Sequence, residues 1–164
     1  MLSRRTFLLT TGMVALGGCS SKFRHYDGPE VTQILVQKSE RRMHLLNGRV
    51  ALKSYDIALG GNPVGHKQFE GDLKTPEGLY YIDRRNPNSA YHLSLGISYP
   101  NAKDVAEAEA LGKKPGGDIF IHGRAGPRAK RSGDWTAGCI SVKDKEIEEV
   151  YAMVRNGTPI FISP

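Results

Sequence analysis

A histidine and a cysteine, two residue types that together carry out nucleophilic catalysis, flank neighbouring apolar segments. His122 follows Ile119-Phe120-Ile121, and Cys139 precedes Ile140, 17 positions further along the chain. A loop of this length can bring the ends of two neighbouring strands together. The imidazole of His122 could then take the proton of the Cys139 thiol and stabilise the thiolate, which is the reactive form of cysteine.

The residues next to Cys139 suit attack on a carbonyl group. Gly138 has no side chain, so a carbonyl substrate could approach the sulfur closely. The backbone N–H groups of Gly138 and Cys139 could donate hydrogen bonds to the oxyanion that forms during acyl transfer. The alternative is an inert, buried thiol, because free cysteine is among the most buried residue types.

The N-terminal residues have the pattern of an export signal. Arg4 and Arg5 precede a mostly apolar stretch, Thr6–Leu16, which small residues and Cys19 follow. Such a pattern is typical of a signal peptide, here residues 1–18. The apolar stretch is shorter than the roughly 20 residues that a membrane-spanning helix needs.

Two short motifs refine this interpretation. Residues 3–8, Ser-Arg-Arg-Thr-Phe-Leu, resemble a twin-arginine export signal, and residues 16–19, Leu-Gly-Gly-Cys, resemble a lipoprotein lipobox. The second resemblance implies cleavage before Cys19, lipidation of its sulfur, and a lipidated tether over residues 19–30. Ser20, and not an aspartate, follows Cys19, which resembles the pattern of lipoproteins that are sorted to the outer membrane. An uncleaved anchor and a plain secretory signal are the alternatives.

The cysteine count bears on the reactivity of Cys139. The chain has 2 cysteines, Cys19 and Cys139. If Cys19 carries lipid, Cys139 has no partner within the chain for a disulfide. Exported proteins normally oxidise their thiols or lack them, so a thiol retained there is a candidate nucleophile.

The elements that must position this pair are mainly strands. A hairpin turn at Asn47-Gly48 is predicted, because both residues tolerate positive φ. Asn101 should cap the first of two short helices, and Gly112 should close it. The predicted strands cover 31–38, 49–59, 79–83, 91–97, 119–121, 139–142 and 159–162, and the helices cover 102–111 and 144–154, with a long loop over 60–78. The prediction is one mainly β domain, residues 31–164, with nothing that favours a parallel sheet.

Composition sets limits on the partners of this domain. Charged residues make up 24% and the net charge is +6, with a pI near 9.4. A basic surface suits an anionic partner, although a solvated basic surface without a ligand is equally consistent. No nucleic-acid motif accompanies the charge, so nucleic-acid binding is not predicted. No His/Cys cluster has the spacing of a zinc site, so we predict no metal.

Several separated motifs together resemble a known family. Ile121-His122-Gly123, followed by Thr136-Ala137-Gly138-Cys139-Ile140, resembles the L,D-transpeptidase (YkuD-type) catalytic domain. That family has a histidine, a spacer, then Ser or Thr, a variable residue or His, Gly and Cys. Residues 65–67 and 71–78 match its loop before the catalytic half. Residues 94–95, 97–101 and 134–136 match one subgroup, so the resemblance covers about 31–162.

The resemblance implies a compact β domain with its active site at the mouth of a cleft. Cys139 would attack the carbonyl at the L-centre of meso-diaminopimelate in a peptidoglycan tetrapeptide, releasing D-alanine and forming a thioester. An amine of another stem peptide, or a lipoprotein lysine, would resolve the thioester. The chemistry needs no cofactor. The enzyme would act in the periplasm, held at a membrane through Cys19.

Other residues near the pair are candidates for oxyanion or substrate binding. They lie in the same motifs or in a predicted neighbouring strand: Gly123, Gly138, Thr136, Trp135, Arg124, Ser141 and His92. Arg124 belongs to a basic loop with Arg128, Lys130 and Arg131 that could receive stem-peptide carboxylates or be simply solvated. Trp135, Ser141 and His92 each have a structural alternative. His66 could contact substrate or order its loop, whereas Asp72, Lys74 and Thr75 are expected to fix a turn.

Two departures from the family pattern bear on specificity. Many members have His or Lys where this chain has Ala137, and many have Arg where it has Ser141. His122 is therefore the sole predicted base, and the substrate carboxylate has no assigned contact. Two alternatives remain: a carboxypeptidase or hydrolase that uses water as acceptor, and a catalytically silent wall-binding lipoprotein.

Overall fold

The computed structural model describes residues 21–124 and 132–164, where a mixed β-sheet is flanked by two helices. The strands are β1 (Gln33–Gln37), β2 (Arg42–Asn47), β3 (Val50–Asp56), β4 (Gly78–Asn86), β5 (Ser94–Ile97), β6 (Phe120–His122), β7 (Ile140–Ser141) and β8 (Pro159–Ser163). The helices are α1 (Ala102–Ala110) and α2 (Asp144–Met153). The predicted mainly β architecture with two short helices is confirmed.

Some sequence predictions fall outside the described residues. They are the signal peptide over residues 1–18, lipidation at Cys19, and the basic side chains Arg128, Lys130 and Arg131. Residues 21–30 of the predicted tether are described and form neither helix nor strand. Within the two described stretches, neither helix has the length and apolarity that a membrane crossing requires.

The order of the strands, β3-β2-β1-β8-β4-β5-β6-β7, contains two parallel pairs. β1 pairs in parallel with β8, and β6 pairs in parallel with β7, whereas the other neighbours are antiparallel. The sequence favoured no parallel pairing, because no strand–helix–strand alternation occurs. Here residues 123–139 connect β6 to β7. A parallel pair needs a connection of about a dozen residues or more, and this segment is long enough.

The first hairpin turns one residue later than predicted. Asn47 pairs with Val50, so Gly48 and Arg49 are the two central residues of the turn. Positive φ occurs at Gly48 (57°) but not at Asn47 or Arg49. A type I′ turn requires positive φ at both central positions, so the turn differs from the predicted type.

Four strands, β1, β3, β5 and β7, are shorter than predicted, and the differences at β3 and β5 bear on the site. β3 ends at Asp56, after which Ala58 and Gly60 form isolated bridges to Ser141 and Thr136. β5 begins at Ser94 rather than at residue 91, because His92 has a φ of 75°. A non-glycine residue in this left-handed region breaks the strand.

Helix α2 packs on β5 and β6 and so lies behind the predicted catalytic histidine. Its buried apolar side chains are Ile147, Val150 and Met153, a spacing of three that marks one helical face. They join the core formed by the inner face of the sheet, which includes Ile121 and Ile140. The helix ends at Met153, and beyond it Gly157 donates its N–H to the Ile82 carbonyl.

The loop 60–77 is ordered by two buried lysines. Lys38 Nζ contacts the carbonyls of Gly65 and Thr75 at 2.7 and 3.0 Å and the Glu77 carboxylate at 2.7 Å. Lys67 Nζ lies 2.9 Å from the Asp72 carboxylate. Burial alone would raise the pKa of Asp72, but hydrogen bonds from Lys67 and three backbone N–H groups hold it below its usual value. The predicted turn role of Asp72 is confirmed.

Helix α1 begins with a capping box, as Asn101 predicted. The Asn101 side chain accepts hydrogen bonds from the N–H groups of Lys103 and Asp104, and the Asp104 carboxylate accepts from the Asn101 N–H at 2.8 Å. Gly112, with a φ of 66°, follows the last turn in the left-handed conformation typical of helix ends.

Replacement of the helix cap should measurably weaken the domain. We expect Asn101→Ala to lower the free energy of unfolding by about 1 kcal/mol, because two helix N–H groups lose their acceptor. Urea denaturation followed by circular dichroism measures the change. Lys103→Ala is the matched control, since that side chain is 80% exposed and makes one ion pair, with Glu107. An equal loss in both variants would contradict the role of the cap.

Candidate active site

The ring of His122 is fixed on two sides at the end of β6. Tyr91 stacks on it with ring centroids 4.4 Å apart, and Trp135 meets it edge-on at 5.6 Å. Its Nδ1 lies 2.6 Å from the carbonyl oxygen of Gly123. A carbonyl can only accept, so Nδ1 carries the hydrogen in the neutral ring and Nε2 has the lone pair of a base.

Cys139 lies on the same face of the sheet as His122. In the parallel ladder Ile121 pairs with Ile140 and His122 with Ser141, which places Cys139 beside Phe120. Alternate residues of a strand share a face, so Phe120 and His122 point to one side and Cys139 with them. The sulfur accepts from the Phe120 N–H at 3.4 Å and donates to the Asp118 carbonyl at 3.5 Å.

The surroundings of Cys139 keep its sulfur protonated rather than ionised. Burial raises the pKa of the thiol above its ordinary value, and the negative charge of Asp118 raises it further. The Phe120 N–H and the positive charge of Lys67 oppose the shift without reversing it. The residue is a free thiol of intermediate exposure, so reagents can reach it. A thiol with a raised pKa needs a base to become a nucleophile at neutral pH.

The turn before Cys139 is held by Thr136. Its hydroxyl donates to the Cys139 carbonyl at 2.7 Å and accepts from the Gly138 N–H at 3.2 Å. Gly138 has a φ of 132°, and a Cβ there would lie 2.6 Å from the Lys74 carbonyl oxygen. The position therefore requires glycine. The Gly138 N–H, predicted as an oxyanion donor, is already bonded to Thr136.

Gly123 and Ser141 take part in the hydrogen bonds that hold His122. The Gly123 N–H donates to the Tyr91 carbonyl at 3.0 Å, so it is not free for an oxyanion. Ser141 is fully buried, and its hydroxyl donates to the same Gly123 carbonyl that holds His122, at 3.4 Å. The structural alternative for Ser141 agrees with this burial, and a substrate contact of Gly123 or Ser141 stays a prediction.

Arg124 follows Gly123 in the chain, and Trp135 lies against His122. The Arg124 N–H donates to the Asp144 carboxylate at 2.7 Å, and its Nε is buried with no hydrogen-bond acceptor among the described residues. Trp135 lies 5.7 Å from Tyr91, ring centre to ring centre, and completes the aromatic wall around His122.

His92, another predicted site residue, faces helix α2. Its Nε2 lies 2.9 Å from the Glu148 carboxylate. The side chain that reaches His122 from this segment is Tyr91, which the sequence prediction missed. A strand through residues 91–97 would have put His92 on the face of Ser94, the partner of His122, but the positive φ at His92 ends that alternation.

Sequence reasoning also missed Asp118 and Asp144. Asp118 contacts the sulfur through its backbone carbonyl, which no side-chain motif can reveal. Asp144, at the first turn of α2, was recognised only as a helix residue. In residues 21–124 and 132–164, no group of three or more His, Cys, Asp or Glu side chains could hold a metal ion.

Comparison with known proteins identifies relatives of this domain. The profile of the YkuD family, described as the L,D-transpeptidase catalytic domain, matches residues 32–162. A protein of Escherichia coli strain K12, named "Putative L,D-transpeptidase YafK", is 32% identical over 116 residues, which are 69% of this chain and 41% of the relative. The chain thus spans less than half the length of that curated relative.

Solved structures that are at least 25% identical to this chain have the same fold. The helical cell shape determining protein Pgp2 of Campylobacter jejuni matches 89% of this chain and 52% of its own, at 25% identity and a TM-score of 0.65. Bd1075 of Bdellovibrio bacteriovorus matches 82% and 48%, at 27% identity and a TM-score of 0.58. The predicted single L,D-transpeptidase-like domain is confirmed.

A side chain at Gly138 should disrupt the site. We expect Gly138→Ala to lower the free energy of unfolding by about 1–3 kcal/mol, because its Cβ would overlap the Lys74 carbonyl and φ is unfavourable. Alkylation of Cys139 by iodoacetamide should change in rate as the turn shifts. Gly133→Ala is the control, with a φ of 64° and no atom within 4 Å of the added Cβ. If Gly133→Ala costs as much, steric contact with residue 74 is not the cause.

The charge of Asp118 should be measurable at the sulfur. Asp118→Asn removes a negative charge that disfavours the thiolate, so we expect a lower pKa for Cys139. The shift should be small, because the Asp118 side chain is 88% exposed, and should fade in 1 M salt, where the screening length is about 3 Å. The pH dependence of alkylation at Cys139, followed by peptide mass mapping, measures it. Asp83→Asn is the control, and an unchanged pKa of Cys139 in Asp118→Asn at low salt would refute the effect.

Proposed function

Since the chain belongs to the YkuD family of L,D-transpeptidase catalytic domains, we propose that it is a peptidoglycan L,D-transpeptidase that works through a thioester on Cys139. Its substrates are stem peptides that contain meso-diaminopimelate, and its role is crosslinking or remodelling of the cell wall. The supporting observation is the pair itself. His122 presents Nε2 as a base on the face of two adjacent strands from which the partly exposed sulfur of Cys139 also projects.

In the first half-reaction His122 Nε2 takes the thiol proton, and the Cys139 sulfur attacks the carbonyl at the L-centre of diaminopimelate. A carbon–sulfur bond forms as the carbonyl becomes an oxyanion. When the oxyanion collapses, the bond to the D-alanine nitrogen breaks, and the imidazolium returns its proton to that amine. D-alanine leaves, and the donor peptide remains as a thioester.

In the second half-reaction the acceptor amine attacks the thioester and gives its proton to His122. The carbon–sulfur bond breaks, the new amide leaves, and the proton returns to the Cys139 sulfur. The Gly123 carbonyl accepts a hydrogen bond from Nδ1–H of His122 in both the neutral and the protonated ring. This bond keeps the neutral ring in one tautomer and also stabilises the imidazolium.

The oxyanion and the substrate carboxylate each keep one of the partners predicted from the sequence. With the Gly138 N–H bonded to Thr136, the Cys139 N–H is the remaining donor of the predicted pair. Arg124 is proposed to receive a carboxylate of the stem peptide. Its Nε is buried and has no acceptor among the residues that the structure describes, and guanidinium groups bind carboxylates through charge-assisted hydrogen bonds. Trp135 is proposed to wall the cleft.

We further propose that the protein is exported and held at a membrane, the outer membrane, by lipid on Cys19. The twin-arginine-like and lipobox-like residues support this location, which places the domain in the periplasm beside its substrate. A lipoprotein lysine is then a second possible acceptor amine. The similarity to Pgp2, described as a cell shape determining protein, supports a role in cell-wall architecture.

Acylation by a carbapenem, which mimics the acyl donor, tests the catalytic pair. We expect one covalent adduct on the wild type, none on Cys139→Ala, and acylation slowed by about 10²–10⁴-fold in His122→Ala, because the thiol loses its base. Intact-protein mass spectrometry over time gives both results. His44→Ala, a histidine of β2 bonded to Ser54, should keep the wild-type rate. An adduct that survives loss of Cys139 would reject the assignment.

Incubation with purified muropeptides distinguishes the reactions open to this site. Crosslinked dimers indicate transpeptidation, shortened stem peptides indicate a carboxypeptidase, and release of a bound lipoprotein peptide indicates a hydrolase. A silent wall-binding protein would form none of these products, and its Cys139→Ala variant would bind sacculi as well as the wild type does. We expect crosslinked dimers. If shortened or released products form without dimers, the reaction at Cys139 is hydrolysis and not transpeptidation.

A further inference from the structure

Residues 22–24, part of the predicted lipidated tether, lie against the domain beside the loop that carries Tyr91. Lys22 Nζ donates to the Pro87 carbonyl at 2.6 Å and to the His92 carbonyl at 3.1 Å. Phe23 contacts the ring of Tyr151 on α2, with centroids 6.3 Å apart. We call residues 22–24 the N-terminal strap.

Arg24 connects the strap to a buried carboxylate on α2. Its Nε and Nη2 both contact one oxygen of Glu148, at 3.0 and 2.9 Å, and its Nη1 contacts Glu149 at 3.2 Å. The other oxygen of Glu148 lies 2.9 Å from His92 Nε2. The Glu148 side chain is 5% exposed, so these partners replace the water that it loses. The carboxylate thereby ties Arg24 to His92.

Lys22 and Arg24 of the strap both act on His92, a residue with an unusual backbone conformation. Lys22 holds the carbonyl of His92, and Arg24 holds its side chain through Glu148. His92 has a φ of 75°, a conformation that a residue other than glycine keeps only when its surroundings impose it. Loss of the Lys22 contact or of the Arg24 contacts removes part of what keeps the turn at His92 in place.

The turn at His92 determines where Tyr91 lies, and Tyr91 is linked to His122 both directly and through Gly123. Its ring stacks on the imidazole, with an angle of 28° between the planes. Its carbonyl accepts the Gly123 N–H at 3.0 Å, and the Gly123 carbonyl in turn holds His122 Nδ1. A contiguous series of contacts therefore links Lys22 and Arg24 to the orientation of the imidazole.

We infer that Lys22, Arg24, Glu148 and His92 are positioning residues that hold Tyr91 against His122 and so orient the catalytic base. The inference rests on the proposed function, because it concerns the same His122. None of these four residues contacts the sulfur in the structure, so their effect is on the placement of the base and not on the thiol directly. Substitution should slow proton removal from Cys139 without preventing the covalent adduct.

The test uses the full chain with Arg24→Ala, Lys22→Ala and the double variant. We expect each to form the same single carbapenem adduct, with an acylation rate at saturating carbapenem reduced roughly tenfold in the double variant, because displacement of a catalytic group costs rate steeply. The pH dependence of that rate should also shift, since the environment of His122 changes. Arg24→Lys, which retains the charge near Glu148, should recover part of the rate.

Lys145→Ala is the matched control. Lys145 contacts the same oxygen of Glu148 at 3.5 Å, but from within α2 and without reaching the turn at His92. It should retain the wild-type rate and pH profile. The inference is overturned if the double variant matches the wild type in both, or if Lys145→Ala loses as much rate. Thermal unfolding of every variant confirms that the compared proteins are folded.

An NMR readout separates this inference from the proposed function. The ring proton signals of His122 report the stacked Tyr91 ring, and they should move in Arg24→Ala and Lys22→Ala but stay in place in Lys145→Ala. If the wild type forms no carbapenem adduct, the proposed function fails while these shifts still test the strap. If the adduct forms and the His122 signals do not move in the strap variants, only the inference about the strap fails.

Discussion

The parallel pairing of β6 with β7 is the constraint on which the site depends. Its register, His122 opposite Ser141, puts the imidazole and the sulfur on one face of two adjacent strands. Both strands are short, so other elements fix them. Ala58 bridges to Ser141 on the far side of β7, β5 pairs with β6, and α2 packs behind. A slip of one residue in this register would turn Cys139 to the opposite face from His122.

Close backbone approach is the second requirement of the site, and it explains several glycines. A Cβ at Gly123 would lie 2.5 Å from the Asp144 carboxylate, and one at Gly138 would meet the Lys74 carbonyl. A Cβ at Gly60 would overlap the Leu73 carbonyl oxygen. The loop 60–77 therefore packs directly against the turn before Cys139. The buried ammonium groups of Lys38 and Lys67 hold that loop through carbonyl and carboxylate partners.

Local sequence signals predicted what depends on neighbours along the chain. The caps of α1, the position of α2 and the segments that carry His122 and Cys139 all follow from residues a few positions apart. Long-range features did not follow. The parallel pairs join strands remote in sequence, and Tyr91 reaches His122 only because of the backbone conformation at His92. The choice between a structural and a substrate-binding Ser141 stayed open in the sequence, because burial, which depends on Ala58 and β6, is invisible in a strand pattern.

The attachment of the strap sets a limit on reach. Lys22 is fixed beside the loop of Tyr91, and three peptide steps separate it from Cys19. Even fully extended, that stretch spans only about 11 Å, at no more than about 3.6 Å per residue. If Cys19 carries lipid, as proposed above, its acyl chains would hold the domain within a short radius of the bilayer surface. Such an enzyme would work on strands of the wall that pass close to its membrane, and layers beyond that radius would lie outside its range.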